Sequence, residues 1–248
     1  MPLFETDCIV LRSYNLSEAD KIVVFYTLDH GLIRGVAKGA KRLNSKFGSS
    51  LEPFCEMRVE YFQKEDRDLV SIQKTELIRS SFSAASDPER LATLSYLADL
   101  FLEFTPPHDP NRILHRMLRA CFSVDLDTPN DHQALKFYFE TWLIRLGGYL
   151  PDWTSCAICK KGFAADEPGR LLSGFRLACA TCSAGKAGEY VFGTEREILG
   201  SVQKIAPDEF VKVANHETVR KVSTIISKIV ASHSGREVPL ASTAQKSQ

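Results

Sequence analysis

The chain has 248 residues, with 31 Lys and Arg set against 31 Asp and Glu, so its formal net charge is zero. That balance argues against a uniformly basic nucleic-acid coat, and 44% hydrophobic with 25% charged residues is the composition of a globular protein, not of a disordered or collagen-like chain. The most apolar stretch, Leu91 to Phe104, is broken by Asp99 and Glu103 and falls short of the ~18–20 residues a membrane span needs, so no membrane partner is expected.

From residue 6 to about 79 the pattern is that of strands. Phe54 to Phe62 alternates, with Cys55, Met57, Val59 and Tyr61 on one face and Glu56, Arg58 and Glu60 on the other, as a half-buried antiparallel strand does. Ile9–Tyr14, Ile22–Leu28, Leu32–Lys38 and Leu69–Leu77 are the other strand candidates, separated by turn-forming Ser, Asp and Gly clusters. Five short strands in this length predict a small barrel, of OB type or SH3-like on pattern alone. After Ser80 the period becomes helical. Asp87-Pro88, Asp109-Pro110 and Thr128-Pro129 each read as a cap followed by proline in the first turn, where its missing N–H costs nothing. The third of these helices should cover Ala134–Leu146 and stop at Gly147-Gly148 before Pro151. Thr194-Glu-Arg-Glu197 resembles a capping box, and Val213–Ile229 reads as the last helix. The expected organisation is a barrel domain over 1–80, a helical domain over 81–232 with an insert at 154–187, and a flexible tail over 233–248. The fold class is α+β.

The most specific signal is Cys156-x2-Cys159 followed, after 19 residues, by Cys179-x2-Cys182. Two knuckles of this spacing bring four thiolates onto one ion, and the loop-rich insert between them needs a metal to order it. Structural Zn2+, one per chain, is the expected cofactor; iron shares the ligand set, and redox pairs are the alternative to a metal. Four sulfurs leave no open coordination position, so the centre is not expected to be catalytic. Cys8, Cys55 and Cys121 read as small buried hydrophobes. Lys160, Lys161 and Lys186 flank the metal ligands and read as solvated loop lysines, with contact to nucleic acid as the alternative.

Two cationic clusters stand out. Arg34, Lys38, Lys41, Arg42 and Lys46 fall within 13 residues that hold no acid, where the chain average is about 1.6 basic residues. A flexible cationic loop leaving a barrel strand suits a phosphate backbone, with Gly35, Gly39 and Gly48 permitting close approach and Phe47 offering a stacking face. Arg112, Arg116 and Arg119 share one face of the second helix, beside Leu114 and Met117 or Leu118; they read first as a solvated helix face, and as a holder of an acidic peptide tail in the alternative. The six histidines are scattered, and no P-loop, dinucleotide fingerprint, nucleophile elbow or H-E-x-x-H is present, so no enzyme is expected.

In their order and spacing, Glu18-Ala-Asp-Lys-Ile-Val-Val-Phe-Tyr-Thr27, His30-Gly31, Arg34-Gly-Val-Ala-Lys-Gly-Ala-Lys-Arg42, Leu51-Glu-Pro-Phe54 and Leu146-Gly-Gly-Tyr-Leu-Pro151 ahead of the first cysteine pair resemble the bacterial RecO family of DNA-repair and recombination-mediator proteins. The resemblance covers about residues 1–232. It implies an OB fold, a zinc-bearing helical domain and a non-enzymatic activity: binding single- and double-stranded DNA, annealing complementary strands, and helping RecA load onto DNA covered by single-strand-binding protein. It also implies RecR and the acidic tail of single-strand-binding protein as partners, the five cations at 34–46 as DNA contacts and the four paired cysteines as zinc ligands. The Arg112/Arg116/Arg119 face as the tail site is a separate proposal. This chain departs from many relatives at Arg236-Glu-Val-Pro239, where a lysine-serine pattern is usual. The N-terminus carries neither a basic nor an apolar leader, so a cytoplasmic location, with nucleoid association during repair, is expected. The alternative function is a zinc-containing protein–protein adaptor with incidental DNA or RNA binding.

Overall fold

A computed structural model describes residues 2–63, 68–82 and 86–234. The chain forms two compact units, Met1–Leu126 and Asp127–Gln248. The first contains β1 (Leu3–Asn15), β2 (Lys21–Thr27), β3 (Gly31–Ala37), β4 (Glu56–Phe62) and β5 (Leu69–Arg79). They close into a barrel in the order β1-β2-β3-β5-β4, with β4 returning to β1. All neighbours are antiparallel except β3 and β5, which run parallel. This out-of-sequence closure is the Greek-key connectivity of the OB fold, which resolves the choice between barrel types.

The alternation from Met57 onwards holds: Met57, Val59 and Tyr61 enter the barrel core with Cys8, Val10, Val23, Phe25, Ile33, Val70 and Ile72. Elsewhere apolar runs replace alternation, because Cys8 to Leu11 of β1 and Val23 to Thr27 of β2 are buried on both faces. Ile9, Leu11, Val24 and Tyr26 lie between core positions and are buried as well. On the outer face Tyr26 meets Phe101 edge-on and packs beside His115. β1 also runs longer than the apolar run Ile9–Tyr14 implies, since Leu3 to Asp7 pair with β4 although their side chains are mostly polar.

The helices of this unit are α1 (Pro88–Phe104) and α2 (Arg112–Cys121). Asp87 caps α1 as its sequence predicts, its carboxylate accepting from the N–H groups of Glu89 and Arg90. The second helix starts later than Asp109-Pro110 suggests. Pro107 bridges to Leu32, His108 N–H donates to the Leu32 carbonyl at 3.2 Å, and Asn111 is the cap. The residue before a proline disfavours helical backbone, so Asp109 stays outside the helix. Gly31 is required at this crossing: its φ is +71°, and a Cβ would stand 2.5 Å from the Asp109 backbone. The compact unit therefore runs beyond residue 80 to include both helices, and the Arg12–Asp99 ion pair ties β1 to α1.

The second unit is built on α3 (Pro129–Leu146), capped reciprocally by Thr128 and Asp131. It packs mainly against α6 (His216–His233), whose Val219, Val222, Ile225, Ile226, Ile229 and Val230 form the buried stripe. Two expectations change here. The Thr194/Glu197 box does not form; α4 (Gly193–Val202) starts earlier, with the Glu195 carboxylate accepting from Phe192 N–H at 2.7 Å. Val213 ends a short α5 (Pro207–Val213) that the sequence reading missed, so the last helix begins after Asn215 and runs through His233. Of the expected tail at 233–248, His233 is thus helical, Ser234 follows it, and residues 235–248 lie outside the described residues. Between α3 and α4 lies an insert with β6 (Gly169–Leu172), β7 (Arg176–Ala178) and β8 (Tyr190–Val191), ordered β7-β6-β8. Among the described residues no helix is long and apolar enough to cross a membrane.

The connection from β3 to β4 plugs the barrel with Phe47 and Leu51, 3% and 2% exposed. Phe47→Ala should therefore cost about 3–5 kcal/mol of stability, read as a lower urea midpoint by circular dichroism. A change below about 1 kcal/mol would mean that Phe47 is not part of the core.

Candidate metal centre and nucleic-acid interface

Cys156, Cys159, Cys179 and Cys182 converge as their spacing predicts, with all four sulfurs within 4.8 Å of one another. The first knuckle sits at the tip of a small hairpin: Ser155 pairs with Gly162, and Cys156 N–H donates to the Lys161 carbonyl at 2.8 Å. Lys160, with φ +63°, turns the chain so that its N–H reaches the Cys156 carbonyl. The second knuckle follows β7, and Ser183 Oγ holds it by donating to the Cys179 carbonyl at 2.9 Å. Ala157 N–H donates to the Leu177 carbonyl and joins the two halves.

The donor set fits a metal ion. Tetrahedral thiolates with metal–sulfur bonds of ~2.3 Å stand ~3.8 Å apart, and Cys159 Sγ and Cys179 Sγ are separated by 3.9 Å. Burial opposes ionisation of Cys156, but backbone hydrogen bonds from Cys159, Cys179 and Ile158 outweigh it and bring this thiol down to about 6. Cys182 is pushed up to about 12, chiefly by thiol hydrogen bonds with Cys179 and Cys159. Four thiolates this close repel one another, and a cation at their centre lets them ionise together.

Supporting residues surround the sulfurs. The Asp152 carboxylate accepts from Thr154 N–H, Thr154 Oγ1 and Ser155 Oγ, and these bonds hold it below the usual carboxylate range. Such an Asx turn was legible in Asp152-Trp-Thr-Ser155 but was not singled out. Trp153 is buried and donates from Nε1 to the Phe175 carbonyl at 2.9 Å. Arg196 of α4 donates to the carbonyls of Ala164, Ala165 and Glu167, fastening the insert from the opposite side.

In the first unit, Arg34 projects from β3 and Lys38, Lys41, Arg42 and Lys46 from the connection that follows; all five are exposed, and none forms an ion pair among the described residues. The connection is not the loose loop expected from its sequence. Gly39 N–H donates to Asp20 Oδ1 at 2.8 Å, Lys41 N–H donates to the Ala19 carbonyl, and Lys41 Nζ reaches the Ser17 carbonyl at 3.2 Å. Lys21 and Glu52 form a further tie at 2.9 Å. Two other expectations are corrected: Phe47 is inside the barrel and cannot stack on a ligand, and Gly35 faces Val70 and Ile72, 2.8–2.9 Å from where its Cβ would be. Gly35 therefore serves the core and not the approach of a ligand.

The three arginines of α2 differ in their ion-pair partners. Arg119 Nε binds Glu56 Oε1 at 2.7 Å, where the carboxylate side chain is 5% exposed, and Arg79 approaches the other oxygen at 3.5 Å. Arg112 lies 3.9 Å from Asp29, while Arg116 has no ion pair among the described residues. Met117 and Leu118, expected to flank an open site, are buried.

A five-stranded OB barrel with an anchored cationic connection, followed by helices that carry a four-cysteine insert, defines a mixed barrel-and-helix class. Residues 1–81 match the model for the N-terminal part of recombination protein O, and residues 85–243 match that for its C-terminal part. The DNA repair protein RecO of Koribacter versatilis is 34% identical over 157 residues, which are 63% of this chain and 64% of that protein. That of Geobacter metallireducens is 30% identical over 229 residues, 92% of this chain and 91% of the relative. The chain belongs to the RecO family.

Removing a bound metal with a thiol-competing chelator should loosen the insert and expose Trp153, shifting tryptophan emission to the red, with recovery when the ion is restored. Unchanged emission after verified metal loss would show that the insert holds its shape without the ion.

Proposed function

We propose that this chain is a non-catalytic DNA-binding recombination mediator of DNA repair, with residues 1–80 as its DNA-binding domain. The observation that carries this reading is the anchored row of five exposed cations, Arg34, Lys38, Lys41, Arg42 and Lys46, without ion-pair partners among the described residues. A cationic surface fixed in place loses little conformational freedom when it meets a phosphate backbone. It positions a strand without reading its sequence. Single- and double-stranded DNA would both bind, and holding one strand open to a complement supports annealing. With RecR, the chain would help RecA replace single-strand-binding protein, in the cytoplasm and at the nucleoid during repair. Arg116 and Arg112 remain candidates for contact with the acidic tail of single-strand-binding protein; Arg119 is committed to Glu56.

The four sulfurs would hold Zn2+ in a structural role. Zinc supplies tetrahedral cross-linking of the insert and, with all four positions filled by sulfur, no site for substrate. Elemental analysis of natively purified protein should return about one zinc per chain; iron in its place would overturn the assignment.

Strand annealing in the presence and absence of single-strand-binding protein tests the whole reading, and failure to accelerate annealing in both would sink it. Binding to labelled single strands should weaken as salt rises, with a logarithmic slope of about −2 to −3.5 for three to five phosphate contacts. Replacing Lys38, Lys41 and Arg42 together by Ala should reduce both affinity and slope while leaving the urea midpoint near its original value. Unchanged affinity would move the DNA site elsewhere.

A further inference from the structure

The outer face of the barrel carries a second feature beside the cations. Tyr14 stands opposite Ile22, and Ile22 opposite Val36, so the three residues form one row across β1, β2 and β3. Their chain neighbours Val23 and Ala37 point into the core, which turns Ile22 and Val36 outward; directly opposed residues share a face, so Tyr14 joins them. Further along the same face Val24 and Tyr26 are buried, Tyr26 against Phe101 of α1. The cover thins at the Tyr14 row, where Tyr14 borders a small cavity with Ser95, Ala98 and Asp99 of α1. Ile22 and Val36 are half-buried, and Tyr14 is 47% exposed with no hydrogen-bond partner for its hydroxyl among the described residues.

Cations bracket the row. Arg34 lies two residues before Val36 on β3 and Lys38 two residues after it, both exposed and unpaired among the described residues. Lys41 is held to the β1–β2 turn just beyond Tyr14. An aromatic ring on an aliphatic floor, edged by free positive charge, matches a nucleotide with its base exposed: the base lies on the ring and the phosphates reach the cations. A duplex keeps its base faces stacked inside, so this arrangement favours a single strand.

We propose that the Tyr14–Ile22–Val36 strip stacks the bases of single-stranded DNA while Arg34 and Lys38 hold the adjoining phosphates. This inference rests on the DNA-binding reading above and assigns the strand form that the site prefers. The test compares the full-length protein's affinity for a mixed-sequence oligonucleotide and for a strand of equal length and phosphate count that carries no bases. The wild-type protein should bind the base-bearing strand roughly 5- to 100-fold more tightly. Tyr14→Ala should abolish most of that difference with affinity for the baseless strand unchanged, which also reports an intact fold. Tyr14→Phe should retain the preference. Equal binding of both strands by the wild type, or a preference that survives Tyr14→Ala, overturns the stacking role and leaves DNA binding standing. Binding of neither strand overturns the functional reading itself.

Discussion

Parallel pairing of β3 with β5 governs the first unit. It leaves β4 across the barrel from the end of β3, so the chain leaving Ala37 must cross the barrel end before it can start β4 at Glu56. A segment forced over the open end of a barrel must close it or leave apolar surface wet. Phe47 and Leu51 enter the core from this segment, and Ser50 Oγ donates to the Phe47 carbonyl at 2.6 Å beneath them. The cations of the same segment have nowhere to go but outward. Connectivity thus dictates both the plug and the charged rim, and Asp20 and Glu52 fasten that rim without neutralising the cations at its tip.

The second unit meets a different constraint. Its insert offers few apolar side chains to bury: the buried cluster around the sulfurs consists of Cys156, Ala178 and Cys179, with Phe163, Leu172 and Cys182 packed on its edge. Order has to come from elsewhere, and the backbone hydrogen bonds that lower Cys156 also aim the knuckle at its partners. Asp152, Trp153 and Arg196 hold the hairpin from outside through hydrogen bonds to hydroxyls and carbonyls, so the ligands are presented by a frame that is itself largely polar.

How much of this was legible in the sequence follows from the range of each interaction. Period-two alternation from Met57 to Tyr61, the caps at Asp87 and Thr128 and the cysteine spacing are local, and each lies where its pattern points. Glu56 also sits in that alternation and reads as solvent-facing, yet it is buried because Arg119 and Arg79 come to it from distant parts of the chain. Phe47 reads as a loop aromatic, since nothing nearby reveals that its loop seals a barrel. Asp109-Pro110 imitates a helix start, but Pro107 and His108 just before it pair with Leu32, and the helix is capped only at Asn111. The Tyr14 strip was invisible for a related reason: only strand register brings Tyr14, Ile22 and Val36 together.

The β3–β4 connection divides its labour residue by residue. Phe47, Leu51 and Ser50 face inward and decide whether the barrel closes, while Lys38, Lys41, Arg42 and Lys46 face water and touch little of the core. Natural variation can therefore adjust the number and placement of charges along this segment at little cost to folding, as long as the inward set is kept. The same short stretch holds two nearly independent tuning dials, and drift in one need not be compensated by change in the other.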